Sequence, residues 1–432
     1  MPIGNTLTPS EAGKIALNSY FALKDWINTK PVAGVETRAN IENRVLGAAS
    51  VGTDKVNSSV GKNLPGARLQ QVFEATTGFN TRSGFGYVLQ YAQGGRRHAI
   101  VAVRGTRPEM AGKPDLVTDA RGTLTGFGDF GPVHKGFKKT FDSCMPEIVR
   151  NEAAIMEADV VHCVGHSLGG AVATLVAGHY ASRGKLAKLY TFGSPRVGYR
   201  ATHQSFERKL GIENMFRVSH DLDPITMVGP FPFIHVNPRS TDEKNYTCLS
   251  PMNTGVSLVN HDMNNYLQTL AGAANWQAVR GIANLCSHSN AAQARVLLAD
   301  GNSGWLQALS DKTLALLFKL FNFVLGEVCE GVILGLTAID LLTEMLLKGV
   351  KMMSGVVGHQ IDSLLRKAAQ WATIPMANDA SFTAAIIKAI LDAMMSRVRM
   401  ASIQALMMIE KGLHPIPLLL TGGAVLAAAY AF

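Results

Sequence analysis

The residues best suited to chemistry lie around a serine between glycines. Gly165, Ser167 and Gly169 form a G-x-S-x-G pattern. The β-branched apolar run 160–164 before it predicts a buried strand, and the apolar run 171–177 after it predicts a buried helix. A sharp strand-to-helix turn needs residues without side chains beside the serine, and it presents the hydroxyl at the end of the sheet. The pattern in this context therefore indicates a serine nucleophile.

A serine nucleophile needs a base, and the base needs a carboxylate to orient it. With this kind of turn the acid follows the serine in the chain and the histidine comes last. A strand is predicted at 215–218, and Asp221 and Asp223 follow it as candidate acids. His261 lies in a loop that leads into a helical pattern. The other histidines after the acids are His235, His288, His359 and His414.

Two further segments are expected to support this site. The apolar run 99–103 predicts another buried strand, which ends at Arg104, Gly105 and Thr106, where a turn should begin. Near the start of the chain, the residues Thr8–Glu11 have the pattern of a capping box, with proline at the first helical position. This pattern predicts a helix from about residue 9 onwards.

Six blocks of the sequence occur in an order that resembles a known family. They are Val103–Thr106, Val133–Phe137, Gly165–Gly170, Tyr190–Gly198, Arg217–Asp223 and His261–Leu267. In this order they are similar to the class 3 lipases, the group typified by triacylglycerol lipases of filamentous fungi. The resemblance implies an α/β-hydrolase fold.

The resemblance also implies a role for each residue that matches a family motif. It assigns Ser167 as nucleophile and His261 as base, and it favours Asp223 over Asp221 as the acid. The backbone N–H groups of Leu168 and Thr106 would form the oxyanion hole. The family's mechanism needs no metal or organic cofactor, so none is expected.

The family places its lid between Thr106 and His134. Here that stretch does not form a clean amphipathic helix. Its aromatic residues Phe127 and Phe130 either line an acyl-chain pocket or fold onto the domain. Asp119 and His134 match family positions with a structural role.

The resemblance ends near residue 275, and the sequence that follows differs in character. We expect an α/β-hydrolase domain over residues 1–290 and an all-helical apolar domain over residues 291–432. The last stretch, 416–432, has no charged side chain and is at the short limit of a membrane-spanning helix. The apolar tail is interpreted as a buried helical subdomain, a membrane-inserting segment or a surface for a partner protein.

Composition excludes several classes of protein. With 47% apolar and 17% charged residues, the 432-residue chain is not expected to be disordered. Five cysteines without a CxxC pattern argue against a disulfide framework and a common zinc module. The net charge of +9 favours an anionic partner such as a membrane surface. No long basic run with interleaved aromatics occurs, so nucleic acid is not an expected partner.

The beginning of the sequence predicts that no secretory signal peptide is present. It lacks a basic segment followed by an apolar core. We therefore expect synthesis in the cytoplasm and, if the protein is exported, a signal-independent secretion route to the envelope of a target cell. A lipase with an apolar tail more loosely resembles phospholipase effectors of type VI secretion. That resemblance implies an immunity protein or a secretion carrier as a partner.

The leading hypothesis is a serine hydrolase that cleaves carboxylic ester bonds of lipids through an acyl-serine intermediate. Phospholipid is the preferred substrate, with fatty acid and lysophospholipid as products. A neutral-glyceride lipase is the alternative within the same chemistry. A protein that permeabilises membranes through its C-terminal helices is the alternative outside it.

Overall fold

The computed structural model describes a large part of the predicted hydrolase domain and short pieces of the tail. The described residues are 6–21, 26–27, 30–31, 64, 66–76, 82–105, 124–150, 152–228, 233–236, 244–251, 258–286, 343–344, 346–347, 350, 356–377, 380–393 and 396.

Eleven strands and seven helices are assigned in these residues. The strands are β1 (Trp26–Ile27), β2 (Lys30–Pro31), β3 (Arg68–Thr76), β4 (Arg82–Gln93), β5 (Arg96–Val103), β6 (Leu124–Gly126), β7 (Pro132–His134), β8 (Val160–His166), β9 (Leu186–Phe192), β10 (Met215–His220) and β11 (Asn245–Cys248). The helices are α1 (Pro9–Asn18), α2 (Lys135–Arg150), α3 (Ala153–Met156), α4 (Leu168–Ser182), α5 (Arg200–Leu210), α6 (Met263–Leu270) and α7 (Val356–Trp371). Residues 276–286 and 384–393 are also helical.

The predicted apolar strands form the middle of a seven-stranded sheet. Its order is β11-β10-β9-β8-β5-β4-β3, and the five strands from β11 to β5 are parallel. Strands β4 and β3 complete the sheet in antiparallel pairing. Every residue of β8 is buried, as expected of a parallel strand covered on both faces. This is the α/β-hydrolase architecture, and the predicted fold class of the domain is confirmed.

Helices cover both faces of the sheet. On one face α2 and α4 bury a core that includes Phe137, Ile148 and Leu175. On the other face α1 and α6 pack over a core that includes Ile15, Tyr190 and Tyr266. The ends of the parallel strands therefore lie between two helical layers, which exclude water from the sheet.

The predicted N-terminal helix is present and begins with the expected capping box. The Thr8 hydroxyl accepts the N–H of Glu11 at 3.2 Å, and the Glu11 carboxylate accepts the N–H of Thr8 at 2.7 Å. Helix α1 approaches α6 closely at Gly13, where a Cβ would stand 2.7 Å from Leu267 Cδ2. The start of the chain is thus fixed against the helix that follows His261.

The aromatic residues at the end of the predicted lid stretch fold onto the domain. Phe127 and Phe130 are buried, and the Phe130 ring lies 4.3 Å from that of Phe206 on α5. Of the two alternatives for these residues, packing in the core is the one that the structure shows. Residues 106–123, the rest of that stretch, lie outside the described residues.

Most of the predicted C-terminal domain, with its boundary near residue 290 and its uncharged end, also lies outside the described residues. Helix α7 and residues 384–393 are described there, and Arg366 of α7 donates to the carbonyl of Ala380 at 3.0 Å. In the described parts of the chain, every helix is too short or too polar to span a bilayer.

Candidate active site

The serine singled out by the sequence occupies a strained turn between β8 and α4. Ser167 has φ 58° and ψ −133°, a backbone conformation that residues with a side chain rarely adopt. Its N–H donates to the carbonyl of Phe192 at 3.0 Å, and its own carbonyl accepts the N–H of Gly170 at 2.9 Å. Such strain persists only where the surroundings enforce it, and it is typical of functional sites.

The glycines around the turn are sterically required. A Cβ on Gly165 would overlap the carbonyl of Gly169, and a Cβ on Gly169 would overlap the carbonyl of Val103 and approach that of Arg104 at 2.5 Å. These contacts are with backbone atoms, which a rotamer change cannot relieve. The turn can therefore approach the end of β5 only because these positions lack side chains.

We expect Gly169→Ala to destabilise the domain by about 3 kcal/mol or more, because the overlap with backbone forces the start of α4 away from the end of β5. The matched control is Gly281→Ala, in an exposed helical position with no atom within 4 Å of the added Cβ. The control should gain about 0.5–1 kcal/mol from helix propensity. Urea unfolding of both variants measures the difference, and equal stabilities would contradict the steric argument.

The candidate acid and base are in direct contact. The Nδ1–H of His261 donates to Oδ2 of Asp223 at 2.8 Å, and both side chains are buried. The Tyr266 hydroxyl donates to the same carboxylate oxygen at 2.7 Å, and the N–H of Ile225 donates to Oδ1 at 2.8 Å. Three donors therefore hold the Asp223 carboxylate and leave Nε2 of His261 available as a proton acceptor.

The other candidate acid serves the loop instead. Oδ1 of Asp221 accepts both the N–H and the hydroxyl of Ser250, at 2.9 and 2.7 Å. Asp221 thereby ties the end of β10 to the residues after β11. Of the two carboxylates that the sequence left open, the structure brings Asp223 to His261.

The loop of His261 is held by a second buried histidine. Nδ1 of His220 donates to the carbonyl of Asn260 at 2.7 Å, and its ring stacks on Tyr266 with 4.0 Å between centroids. Burial lowers the pKa of His220. A neutral His220 thus fixes the residue before the base, as Tyr266 fixes the acid.

The candidate nucleophile Ser167 lies next to this pair, although its hydroxyl makes no hydrogen bond to His261 among the described atoms. The rings of His166 and His261 stack with 4.5 Å between centroids, which places the candidate base beside the residue before Ser167. In hydrolases the serine–histidine contact often tightens only when substrate is bound.

One of the two predicted oxyanion donors lies at the start of a helix. Leu168 is the first residue of α4, so its N–H has no carbonyl within the helix to donate to and benefits from the positive end of the helix dipole. Thr106 lies outside the described residues. The chain is described as far as Gly105, whose carbonyl accepts Nη1 of the buried Arg104 at 2.8 Å.

A small cavity lies beside β10, and its lining includes none of the three predicted catalytic residues. Arg217 borders it and donates to Ser219, Asn245 and His235. Burial lowers the pKa of Arg217 to about 10, so the guanidinium stays charged at neutral pH.

The remaining residues singled out by the sequence either pack within the fold or lie outside the described residues. Nδ1 of His134 accepts the N–H of Gly136 at 3.2 Å, and the ring packs on Phe137. Asp119 lies outside the described residues. Within the described ranges, no cluster of histidine, cysteine and acidic side chains has the size of a metal site.

Sequence reasoning missed the side chains that support the acid and base. Tyr266 lies in the His261–Leu267 block, but the block gives no sign that its hydroxyl reaches Asp223. His220 follows the predicted strand, and only its contact with Asn260 shows its use. The sequence signal for Tyr266 and His220 is that each lies within or next to a recognised motif.

A serine on a strained strand–helix turn, next to an aspartate–histidine pair on a mostly parallel sheet, has the layout of a serine hydrolase on an α/β-hydrolase fold. Comparison with known proteins agrees with this class. Residues 100–233 match the family described as lipase (class 3). Over this segment the chain is similar to the class 3 lipases, which confirms the resemblance seen in the six blocks.

Individual relatives cover parts of the same region. A secreted mono- and diacylglycerol lipase of Fusarium solani is 28% identical over 205 residues, covering 42% of this chain and 57% of that protein. The chloroplastic phospholipase A(1) DAD1 of Arabidopsis thaliana is 29% identical over 205 residues, covering 41% of this chain and 44% of the relative. The toxin TseL of Vibrio cholerae is 30% identical over 121 residues, covering 27% of this chain and 18% of that protein.

The chain thus covers 57% of the length of the first of these relatives and less than half of the length of the other two. A solved structure of a mono- and diacylglycerol lipase from Aspergillus oryzae superposes with a TM-score of 0.40 at 20% identity, covering 60% of this chain and 86% of the other.

Proposed function

We propose that the protein is a serine hydrolase that cleaves carboxylic ester bonds of phospholipids and releases fatty acid and lysophospholipid. The observation that carries the proposal is the buried Asp223–His261 hydrogen bond beside Ser167, within a class 3 lipase segment. Similarity to the lipase family over residues 100–233 supports ester hydrolysis and a lipid substrate. The proposal adds the three catalytic residues and phospholipid as the substrate.

In the proposed mechanism, the oxygen of Ser167 attacks the ester carbonyl while Nε2 of His261 takes the hydroxyl proton. His261 then gives this proton to the departing alcohol oxygen, and the acyl group remains on the serine. Water repeats the two steps and releases the fatty acid. Asp223 holds the imidazole in the Nδ1–H tautomer and stabilises its positive charge.

The negative charge that develops on the carbonyl oxygen needs hydrogen-bond donors. We assign this role to the N–H groups of Leu168 and Thr106. Each such donor is typically worth about 10²–10³ in kcat because it acts on charge that appears only in the transition state.

Phospholipid is preferred over neutral glyceride for two reasons. The net charge of +9 favours association with an anionic lipid surface. One relative is a phospholipase A(1) by name. Neutral glyceride is the second candidate, because the relative from Fusarium solani is a mono- and diacylglycerol lipase by name.

We further propose that the enzyme acts as an exported effector on the envelope of a target cell, with an immunity protein or a secretion carrier as its protein partner. The similarity to the toxin TseL supports this context. The proposed context adds membrane contact to the activity and changes none of the residue roles.

The test is lipid mass spectrometry after incubation with vesicles that contain phosphatidylglycerol, phosphatidylethanolamine and diacylglycerol. We expect lysophospholipid and fatty acid from the wild type, and neither product from Ser167→Ala. Loss of diacylglycerol with intact phospholipid would establish the neutral-lipase alternative. Equal product from the wild type and Ser167→Ala would reject the proposed nucleophile.

A further inference from the structure

A chain of hydrogen bonds crosses the site beside the Ser167 turn, through residues that the proposed mechanism does not use. Nε2 of His166 lies 2.8 Å from the backbone carbonyl oxygen of His261. Nδ1 of the same ring lies 2.7 Å from the hydroxyl of Tyr20. The N–H of Gly105 donates to that hydroxyl at 3.2 Å. Together these bonds join the end of β5, the N-terminal segment, the serine turn and the loop of the base.

The chemistry of the partners fixes the direction of each bond. A carbonyl oxygen only accepts, so the proton of the His166 ring lies on Nε2. A neutral imidazole then has a lone pair on Nδ1, which accepts the Tyr20 hydroxyl proton. His166 is almost fully buried, and burial holds its pKa well below its usual range. The ring is therefore neutral at physiological pH, and one tautomer satisfies both of its nitrogens.

The Tyr20 hydroxyl is also close to the nucleophile. A Cβ placed on Gly105 would overlap this hydroxyl and would stand 2.7 Å from Cβ of Ser167. The absence of a side chain at Gly105 thus lets the tyrosine, the strand end and the serine meet at one point.

The N-terminal segment is anchored where it delivers Tyr20. The Tyr87 hydroxyl donates to the carbonyl of Ile15 at 3.1 Å, one turn of helix before Tyr20. The N–H of Leu7 donates to the hydroxyl of Tyr190 at 3.1 Å. Helix α1 ends at Asn18, and the short turn Ser19–Phe21 places the tyrosine at the C-terminal ends of β5 and β8.

We propose that Tyr20 is a positioning residue of this site, whose hydroxyl holds the His166 ring in the orientation in which Nε2–H donates to the His261 carbonyl. The N-terminal segment is then part of the hydrolase site rather than only a cover for the sheet. This inference rests on the proposed roles of Ser167 and His261.

Removal of the hydroxyl has a definite chemical consequence. Without the Tyr20 hydroxyl, the buried Nδ1 of His166 loses its donor, and only the bond from Nε2–H to the His261 carbonyl still fixes the ring. The ring can then tilt toward another donor, and the His261 backbone that it holds moves with it, away from Ser167. Displacements of about 1 Å in reacting groups cost on the order of 10² in rate.

The decisive experiment is steady-state hydrolysis of a soluble short-chain ester and of phospholipid vesicles by full-length Tyr20→Phe. We expect kcat to fall about 10- to 100-fold, with KM unchanged within about twofold, because the binding surface is intact. Tyr87→Phe is the matched control, since it removes a hydroxyl bond to the same segment away from the serine. It should lower thermal stability to a similar extent and keep the wild-type kcat.

A double-mutant cycle with His166→Gln separates positioning from general weakening. The glutamine amide retains an N–H donor for the His261 carbonyl and has no ring nitrogen for the Tyr20 hydroxyl to hold. Tyr20→Phe should therefore cost less than about threefold in the His166→Gln background. The ring ¹⁵N signals of His166 should show the Nε2–H tautomer in both proteins, with the Nδ1 signal shifted in Tyr20→Phe because its hydrogen bond is lost.

The outcomes are distinct from those of the proposed function. If Ser167→Ala is inactive while Tyr20→Phe keeps the wild-type kcat, or while Tyr87→Phe loses as much as Tyr20→Phe, the positioning role is rejected and the nucleophile stands. Additive effects in the cycle reject it in the same way. If Ser167→Ala remains active, the proposed function itself fails.

Discussion

Ser167→Ala should abolish ester hydrolysis, with kcat reduced on the order of 10⁶-fold, and should leave the fold intact. Loss of the nucleophile removes the covalent route, and the acid and base contribute little without it. The two backbone hydrogen bonds of Ser167, to Phe192 and from Gly170, do not involve the side chain. Alanine therefore preserves the turn while removing the attacking oxygen.

Substitution of Ser167 by glycine should give a more stable protein than substitution by alanine. Because Ser167 has a positive φ, a residue with a Cβ is strained there by about 1–3 kcal/mol, whereas glycine is not. Part of the gain is offset by the greater freedom of glycine in the unfolded chain. We expect Ser167→Gly to be as inactive as Ser167→Ala and about 1 kcal/mol more stable.

Ester hydrolysis and urea unfolding of the two variants test both statements. Ser205→Ala is the matched control: it removes a buried serine hydroxyl on α5 that donates to the carbonyl of Ala201, and it should keep the wild-type kcat. A Ser167→Gly variant less stable than Ser167→Ala would show that the turn is not strained.

The backbone of this site was accessible from the sequence because its signals are local. The β-branched run before Gly165 and the apolar run after Gly170 predict the strand and the helix that the structure shows. The glycines predict a close approach, and the structure supplies its partners, the carbonyls at the end of β5. A turn defined by neighbours in sequence can be inferred from those neighbours.

The choice between Asp221 and Asp223 could not be made from the residues alone. Both follow the same strand by a few residues, and the family resemblance alone favoured Asp223. The structure gives the physical difference: Asp221 faces the serine after β11, whereas Asp223 faces His261. That difference depends on which strand lies next to β10, and no local pattern encodes sheet order.

The hydroxyls that support the site were out of reach for the same reason. Tyr266 meets a carboxylate 43 residues earlier in the chain, and Tyr20 meets an imidazole 146 residues later. Such contacts arise from the packing of α1 and α6 on one face of the sheet. Similarly, Phe127 and Phe130 had the composition of a ligand-binding loop, and only their packing against Phe206 shows them to be core.

Between pH 7 and pH 5.5 the domain should lose stability, with an upper limit of about 5 kcal/mol for four buried histidines. Four buried histidines, each less than 5% exposed, have pKa values below the usual one because burial penalises their charge: His98, His162, His166 and His220. In the unfolded chain each titrates near pH 6.5. The unfolded state therefore binds more protons as the pH falls, so stability is retained above about pH 6.5 and lost below it, by up to about 1.4 kcal/mol per pH unit and group.

The contact between His98 on β5 and His162 on β8 shows why these rings resist protonation. Nδ1 of His98 lies 3.0 Å from Nε2 of His162, and Nδ1 of His162 lies 3.3 Å from the Tyr190 hydroxyl. One proton lies between the two rings, because two N–H groups facing each other at this distance would repel. The pair therefore takes up at most one added proton in the folded state, whereas the unfolded chain takes up two.

Urea unfolding at pH 7.0, 6.5, 6.0 and 5.5 measures the predicted loss. His162→Gln removes one titrating group from the unfolded chain and should reduce the slope below pH 6.5 by up to about 1.4 kcal/mol per pH unit. Asp159→Asn is the control. Its carboxylate accepts the N–H of Arg97 at 2.8 Å, which lowers the pKa of Asp159, so it stays ionised throughout this range and its loss should change the slope far less than His162→Gln does. A stability that is flat from pH 7 to pH 5.5, or a His162→Gln slope equal to that of the wild type, would show that these rings take up protons in the folded protein as readily as in the unfolded chain.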